Sequence, residues 1–115
     1  TARKLVILAN AVLGRRATLR DVTVHGIREV RAAQVRQATA GGGEIKLIGA
    51  IGDALEVSPR WVSRDDPLCV GGALNAVTLS CATSGDKTLV GKGAGGPETA
   101  TAILRDLLTI RERLR

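Results

Sequence analysis

Two short stretches of the sequence break the local rules of the elements around them, and such departures often mark functional sites. Lys4 lies in a largely apolar run near the amino end, and Gly91–Pro97 places four glycines between a predicted strand and a predicted helix. An amine in apolar surroundings suits proton transfer, and glycines at such a junction suit binding of a ligand by the backbone. These stretches are the leading candidates for chemistry.

Lys4 lies near the start of the first predicted helix, where a positive charge faces the positive end of the helix dipole. On a helical wheel it falls between Leu8 and Ala11, so we expect its amine to be partly removed from water. Desolvation favours the neutral amine, which can exchange a proton with a carbonyl oxygen. The alternative is a lysine that extends into water from the end of a helix.

The glycine-rich segment Gly91–Pro97 lacks the spacing of a dinucleotide-binding GxGxxG, and no βαβ unit follows it. Its glycines still allow close approach of a ligand and expose the amides of a helix N-terminus. We expect a side chain at Gly95 to clash only when a ligand is bound. The alternative is a flexible linker between strand and helix.

Two further polar positions are weaker candidates. Asn75 opens an apolar strand face, so its amide either makes a structural hydrogen bond or points into a site. We interpret Asp65-Asp66-Pro67 as a turn or helix cap rather than as paired catalytic acids.

The cysteines and the single histidine do not indicate a metal site. Cys69 and Cys81 form no CxxC pair, and His25 completes no ligand set. We expect two half-buried thiols in a reducing compartment. Because no signal peptide or membrane-spanning apolar run is present, the sequence predicts a cytoplasmic protein without membrane association.

The 115 residues carry a formal net charge of +6, mostly from arginines that are dispersed apart from Arg15-Arg16 and the tail residues Arg111, Arg113 and Arg115. Trp61 is the only aromatic residue, so the chain lacks the stacking surface that single-stranded nucleic acids need. We therefore predict no nucleic-acid partner, and a solvated basic surface that attracts anionic small molecules at most.

Three segments have the pattern of helices: Ala2–Leu13, Glu29–Ala40 and Glu98–Leu114. The first is apolar on nearly all sides, which predicts a buried helix. In the second, Val30 and Ala33 are the best candidates for the core.

Five segments have the pattern of strands: Val22–Ile27, Glu44–Ile51, Leu55–Val57, Asn75–Ala82 and Thr88–Val90. Pro59 is expected to end the third strand or to place it at an edge. The order of elements predicts a single α+β domain over residues 1–115, with one mixed, largely antiparallel sheet and helices on one face. Ala76, Thr78 and Ser80 form a small, uncharged strand face that favours packing against a second copy.

In the same order along the chain, several blocks resemble homoserine dehydrogenase. Thr1–Leu8 resembles the end of the family signature, in which an Asp is followed by three residues and a Lys. Gly91–Gly95, followed by Thr99-Ala100 and Asp106–Leu108, resembles the family's carboxyl-terminal glycine loop and helix. The remaining blocks are less specific: His25-Gly26-Ile27, Glu44–Ile48 and Gly71–Val77.

The resemblance implies a function for the first and last blocks. Lys4 would be the family's catalytic lysine, and Gly95, with Gly93, would contact the nicotinamide nucleotide. The family interconverts homoserine and aspartate semialdehyde with NAD or NADP, in threonine and methionine biosynthesis. It also implies a homodimer.

The departures from the family pattern are large. The family's substrate-binding Asp would precede Thr1, and the nucleotide-binding domain with its GxGxxG is missing. We therefore expect part of a longer or split enzyme that is inactive alone. The alternative is a non-catalytic dimerisation or regulatory module of the same fold, and a small basic nucleic-acid-binding domain is the third hypothesis.

Overall fold

The computed structural model describes residues 1–114, whose helices and strands group into two compact units, Thr1–Arg64 and Asp65–Arg115. The sequence predicts one domain, whereas the structure has these two units. Arg115 of the basic tail lies outside the described residues.

The first unit contains two helices and three strands: α1 (Ala2–Ala11), β1 (Val22–Val24), α2 (Ala32–Ala40), β2 (Gly43–Ile51) and β3 (Leu55–Ser63). The strands form a mixed sheet in the order β1-β3-β2, with β1 parallel and β2 antiparallel to β3. The predicted β2–β3 hairpin is confirmed.

Pro59 lies in the central strand, so the prediction that it ends this strand is wrong. The His25 amide donates to the Val57 carbonyl at 2.7 Å. In a parallel ladder the next donor on β3 would be residue 59, and proline has no N–H. Pro59 therefore ends the pairing with β1, which stops at Val24 instead of the predicted Ile27, while β3 continues beside β2 to Ser63. Only the β1 side of β3 becomes an edge.

The core of this unit lies between α1 and the sheet. Leu5 and Ala9 of α1 pack with three buried strand residues, Val22, Leu55 and Val57. Gly49 on β2 gives the helix room, because a Cβ there would lie 3.0 Å from a methyl group of Leu5. Burial of such aliphatic side chains is the main source of folding free energy.

Helix α1 is buried on one side only within the described chain, contrary to the prediction of a helix buried all round. Leu5 and Ala9, four residues apart, are its two buried residues. Ile7 points the other way and is 64% exposed. An all-apolar helix can bury only the sides that other elements cover, and the described chain covers one.

Helix α2 packs against the same face of the sheet as α1. Val57 of β3 packs with α1 and Trp61 of β3 contacts α2, and residues four apart on a strand point to the same face. The Trp61 indole N–H donates to the Ala38 carbonyl at 3.5 Å. Ala38 is the buried residue of α2, whereas Ala33 is exposed and Val30 is half-buried before the helix begins. The predicted core position Ala33 is therefore wrong, because the sheet covers α2 at Ala38 and not at its first turn, and Val30 is only half-buried and lies before the helix.

The loop from α1 to β1 is held by side chains. The Asn10 amide both donates to and accepts from the backbone of Ala17, at 2.9 and 2.8 Å. Thr18 and Asp21 form a capping box around a short turn of 3-10 helix, Leu19–Asp21. The backbone N–H of Thr18, which donates to the Asp21 carboxylate, lowers the pKa of Asp21.

The second unit contains a hairpin and a long helix: β4 (Leu74–Cys81), β5 (Gly85–Lys92) and α3 (Gly96–Arg113). The predicted hairpin is confirmed, with Thr78 directly opposite Thr88 and their hydroxyls 2.8 Å apart. The α+β class, with mostly antiparallel strands, is also confirmed. The strands form two separate hydrogen-bonded sheets where the sequence suggested one.

Asp66 adopts the predicted turn. Its carboxylate accepts from the Leu68 amide at 2.7 Å, and its carbonyl accepts from the Cys69 amide at 2.8 Å. Cys69 is half-buried as expected, but Cys81 is exposed on the hairpin. No helix among the described residues is both long and apolar enough to cross a bilayer.

Candidate functional site

Lys4 lies on the side of α1 that faces away from the core. Leu5 and Ala9 take the buried positions of the helix, and Lys4 is displaced from them by about a quarter turn or more. Its side chain is exposed in the described chain, so the partial desolvation expected from the sequence is not observed. The cause is the uncovered outer side of α1.

The outer side of α1 is mostly apolar around this lysine. Ile7 and Ala11 are exposed, and Leu8 is half-buried. The wheel prediction that Lys4 lies between Leu8 and Ala11 agrees with this arrangement. A cation among aliphatic side chains would lose water if another surface packed on this side of α1, and a desolvated ammonium interacts more strongly with a developing negative charge.

The glycine-rich segment begins as an extension of the β4–β5 hairpin. The Gly93 amide donates to the Ala73 carbonyl at 3.0 Å, one step beyond the end of β5. Gly95 then forms the N-cap of α3 and accepts at its carbonyl from the Thr99 amide at 3.1 Å. The segment therefore joins a strand end directly to a helix start, as the sequence predicts.

Asn75 and Gly93 meet in the structure, although the sequence treats them as separate candidates. A Cβ built on Gly93 would overlap the Asn75 amide nitrogen and lie 2.6 Å from its Cγ. Asn75 is directly opposite Gly91 on β5, so its side chain reaches diagonally across a residue without a side chain. The absence of side chains at Gly91 and Gly93 makes this contact sterically feasible.

Gly95 lies beside Glu98, a residue that the sequence reasoning missed. Its backbone has φ +142°, a region open to glycine but costly for other residues. A Cβ there would overlap a carboxylate oxygen of Glu98 and lie 3.0 Å from its Cδ. The expectation that a side chain at Gly95 is unfavourable only when a ligand is bound is therefore wrong, because the φ of +142° strains any side chain there and the Glu98 carboxylate would have to move. Glu98 lies three residues after the N-cap, and a Glu at this position often reaches back to the N-cap residue. This spacing is the sequence signal that could have identified Glu98.

Charged residues on the sheet face opposite α1 are paired with one another. Lys46 lies 2.7 Å from Glu44, and its hydrogen bond lowers the pKa of the Glu44 carboxyl. Arg60 lies 3.4 Å from Glu56, whose pKa is lowered chiefly by a hydrogen bond from Ser58. Exposed pairs of this kind contribute little and indicate a solvated surface. Among residues 1–114, no group of His, Cys, Asp and Glu side chains could hold a metal ion.

A model of one family matches almost the whole chain. The homoserine dehydrogenase model matches residues 1–108. The chain belongs to the homoserine dehydrogenase family. A homoserine dehydrogenase from Methanocaldococcus jannaschii is similar, with 44% identity over 111 residues, or 96% of this chain. The crystal structure of a putative homoserine dehydrogenase from Archaeoglobus fulgidus covers 95% of the chain with 41% identity and a TM-score of 0.81.

The chain spans about a third of the length of the homoserine dehydrogenases that it matches: 33% of the M. jannaschii protein and 34% of the A. fulgidus chain. An NAD(+)-dependent homoserine dehydrogenase from Pseudomonas canavaninivorans is 36% identical over 95% of this chain, which covers 33% of that protein. A hyperthermophilic archaeal homoserine dehydrogenase mutant, solved in complex with NADPH, has 28% identity and a TM-score of 0.70 over 96% of this chain and 31% of its own.

The two ends of the glycine loop differ in their surroundings from Gly93 and Gly95. The Cβ positions of Gly91 and Gly96 have no neighbouring atoms within 4 Å, so backbone is open to close approach there. The Glu98 carboxylate lies in the first turn of α3, where it would repel a phosphate from the helix amides. The loop therefore has open backbone at its two ends and a negative charge at the start of α3.

Proposed function

We propose that this chain supplies the catalytic lysine, part of the cofactor-binding surface and a dimer interface to an oxidoreductase that interconverts L-homoserine and L-aspartate 4-semialdehyde with NAD or NADP. The observation that carries the proposal is the family match over residues 1–108, a range that includes Lys4, Gly93 and Gly95. The cofactors of two relatives, NAD(+) in one and NADPH in the other, support a nicotinamide cofactor.

Lys4 acts at the substrate oxygen. The nicotinamide cofactor supplies or accepts the hydride when it is bound. During aldehyde reduction, negative charge builds on the carbonyl oxygen, and the Lys4 ammonium stabilises that charge and donates a proton to the oxygen. In the oxidation of homoserine, the Lys4 amine accepts the hydroxyl proton. The exposed position of Lys4 on an apolar helix side supports this role, because a substrate can reach its Nζ from outside the core.

Gly93 and Gly95 form the part of the loop that lies against the cofactor. The open backbone at Gly91 and Gly96, on either side of them, supports close approach of a flat or bulky ligand. The phosphates and the adenosine half need a nucleotide-binding region, and the extra length of the relatives leaves ample room for one. The complete enzyme therefore consists of this chain joined to a nucleotide-binding region.

The β4–β5 hairpin forms a homodimer interface on the face of Ala76, Thr78 and Ser80. The register adds Thr88 and Val90 to this face, so its centre is small and uncharged. Asp86 and Lys92 lie at its two ends. Two copies related by a two-fold axis can bring ends of opposite charge together, which supports a self-complementary interface.

The decisive experiment replaces Lys4 in the complete enzyme. Lys4→Ala is expected to lower kcat for homoserine oxidation on the order of 100- to 10,000-fold, the usual contribution of general acid–base catalysis. Thermal unfolding and cofactor affinity should change little, because Lys4 is exposed and outside the core. Wild-type kcat in Lys4→Ala would overturn the catalytic role and leave the non-catalytic module as the better hypothesis.

Lys4→Arg separates two roles of the lysine. Arginine keeps the positive charge but does not release a proton near neutral pH. If Lys4 transfers the proton, Lys4→Arg should lose nearly as much activity as Lys4→Ala. If Lys4 only positions the substrate by its charge, arginine should retain much of the activity. Arg3→Ala is the matched control, since Arg3 is a neighbouring exposed cation on the same helix.

A further inference from the structure

Two polar side chains of the second unit lie directly on the glycines of the loop. The Asn75 amide covers the Cβ side of Gly93, and the Glu98 carboxylate covers the Cβ side of Gly95. They come from different elements: Asn75 lies on β4, which pairs with the strand that precedes the loop, and Glu98 lies in the first turn of α3, which follows the loop. The path of the backbone from Gly93 to Gly95 is thus restricted by both side chains.

Elsewhere in the chain, glycines with positive φ are not restricted in this way. Gly14, Gly42, Gly72 and Gly85 all have positive φ, and a Cβ on any of them would meet no atom within 4 Å. These glycines serve turns alone. Gly95 combines a positive φ with the Glu98 side chain on its Cβ side, and Asn75 lies even closer to the Cβ side of Gly93. Side-chain contacts, and not only turn geometry, therefore restrict this loop.

A purely structural role is the simpler explanation for Glu98. A Glu at the third helical position often reaches back to the N-cap residue and stabilises the start of the helix, and its negative charge also suits the helix dipole. That role does not account for Asn75, which lies on a strand and covers Gly93, two residues before Gly95. The two contacts together act on the loop rather than on the helix.

We propose that Asn75 and Glu98 are positioning residues that fix the Gly93–Gly95 backbone in the shape that receives the nicotinamide nucleotide. The inference rests on the proposed cofactor role of this loop and assigns its geometry to two named side chains. Truncating either side chain leaves a loop of glycines without its lateral contacts. The loop then has many more conformations, and the cofactor must select one of them on binding.

The test measures cofactor binding to the complete enzyme directly, by the change in NADPH fluorescence, and then steady-state kinetics. Asn75→Ala and Glu98→Ala are each expected to weaken cofactor binding about tenfold, which corresponds to about 1.4 kcal/mol. The kcat at saturating cofactor and the KM for homoserine should stay within about twofold, because Lys4 is unaltered. Glu98→Gln keeps the size and shape of the side chain and should recover most of the affinity.

Two controls match the variants. Lys87→Ala changes an exposed residue on the same hairpin face as Asn75 but at its far end, and Asp106→Asn removes a carboxylate from the same helix as Glu98. Neither should alter cofactor affinity. If Asn75→Ala does not fold, Asn75→Ser provides the same readout, since it removes the amide group over Gly93 without adding a charge.

Unchanged cofactor affinity in Asn75→Ala and Glu98→Ala would overturn the proposal, even if the melting temperature falls, because a falling melting temperature alone is what a helix cap predicts. This outcome is separate from failure of the proposed function. Loss of that function appears as wild-type kcat in Lys4→Ala, whereas the binding measurement does not depend on Lys4.

Discussion

At the scale of single residues, three glycines of this chain, in addition to Gly49 under Leu5, make space for larger side chains. Gly93 and Gly95 lie against Asn75 and Glu98 in the loop, and Gly43 lies beneath the indole of Trp61. At Gly43 a Cβ would overlap the ring and lie 2.6 Å from the Val62 carbonyl oxygen. The ring can turn away but the backbone oxygen cannot move without disturbing the β2–β3 ladder, so this glycine is required for packing.

Replacement of Gly43 by alanine is therefore expected to destabilise the chain. The clash with Trp61 and the Val62 carbonyl should lower the free energy of unfolding by about 1–3 kcal/mol, the usual cost of overpacking. Gly26→Ala is the control, because its φ of −77° suits alanine and a Cβ there meets no atom within 4 Å. Urea unfolding of both variants checks the prediction, which a Gly43→Ala curve identical to that of Gly26→Ala would contradict.

At the scale of elements, helices α1 and α3 both expose apolar sides. None of the described residues of α3 is buried, although Ile103, Leu104 and Leu107 form a stripe at helical spacing. An amphipathic helix owes most of its stability to packing of its apolar side. The β4–β5 hairpin exposes less apolar surface than these helices. Its two strands pair with each other, and Ala76 and Thr78 at the centre of its small face are half-buried.

The hairpin face provides a test of the proposed dimer. Thr78→Arg should convert the dimer to a monomer, because a charged side chain at the centre of a self-complementary face meets its own copy across the two-fold axis. Thr83→Arg adds the same charge in the exposed turn after β4 and should leave the dimer intact. Light scattering at micromolar concentration gives the answer. A monomeric wild-type protein, or a dimeric Thr78→Arg variant, would count against the interface.

At the scale of the whole molecule, length is the main constraint on function. The family model matches residues 1–108 of the chain, which spans a third of the length of the M. jannaschii relative. Lys4 lies in the first unit, and the glycine loop in the second. The proposed reaction also requires a bound cofactor, whose phosphates the Glu98 carboxylate at the start of α3 would repel. Under the proposed function, the chain therefore supplies part of an active site and needs a nucleotide-binding region to complete it.

We expect the purified 115-residue chain to show no turnover of homoserine with NAD or NADP. Without a region that binds the phosphates and adenosine of the cofactor, most of the cofactor's binding free energy is absent, and the outer side of α1 stays in contact with water. The formation of NADH or NADPH, followed by absorbance, measures this. The complete enzyme under the same conditions is the control, and measurable activity of the chain alone would show that the prediction is wrong.

The sequence by itself determined the features that depend on neighbours along the chain. Alternation of side chains gave the β4–β5 hairpin, helical spacing gave α3, and the Asp66 turn followed from local turn chemistry. The two ends of the chain carried the family resemblance, which the family match confirms. These signals are local, because residues two to four positions apart fix which way side chains point before any tertiary contact forms.

Only the tertiary structure decided which surfaces are covered and which distant residues meet. An apolar helix such as α1 has no preferred buried side until the sheet packs against Leu5 and Ala9. Pro59 reads as a strand end, yet β2 pairs with it on one side while the missing N–H ends the pairing with β1 on the other. Asn75 meets Gly93 because β4 and β5 pair in one register. Burial and contact depend on packing partners, which spacing along the chain does not specify.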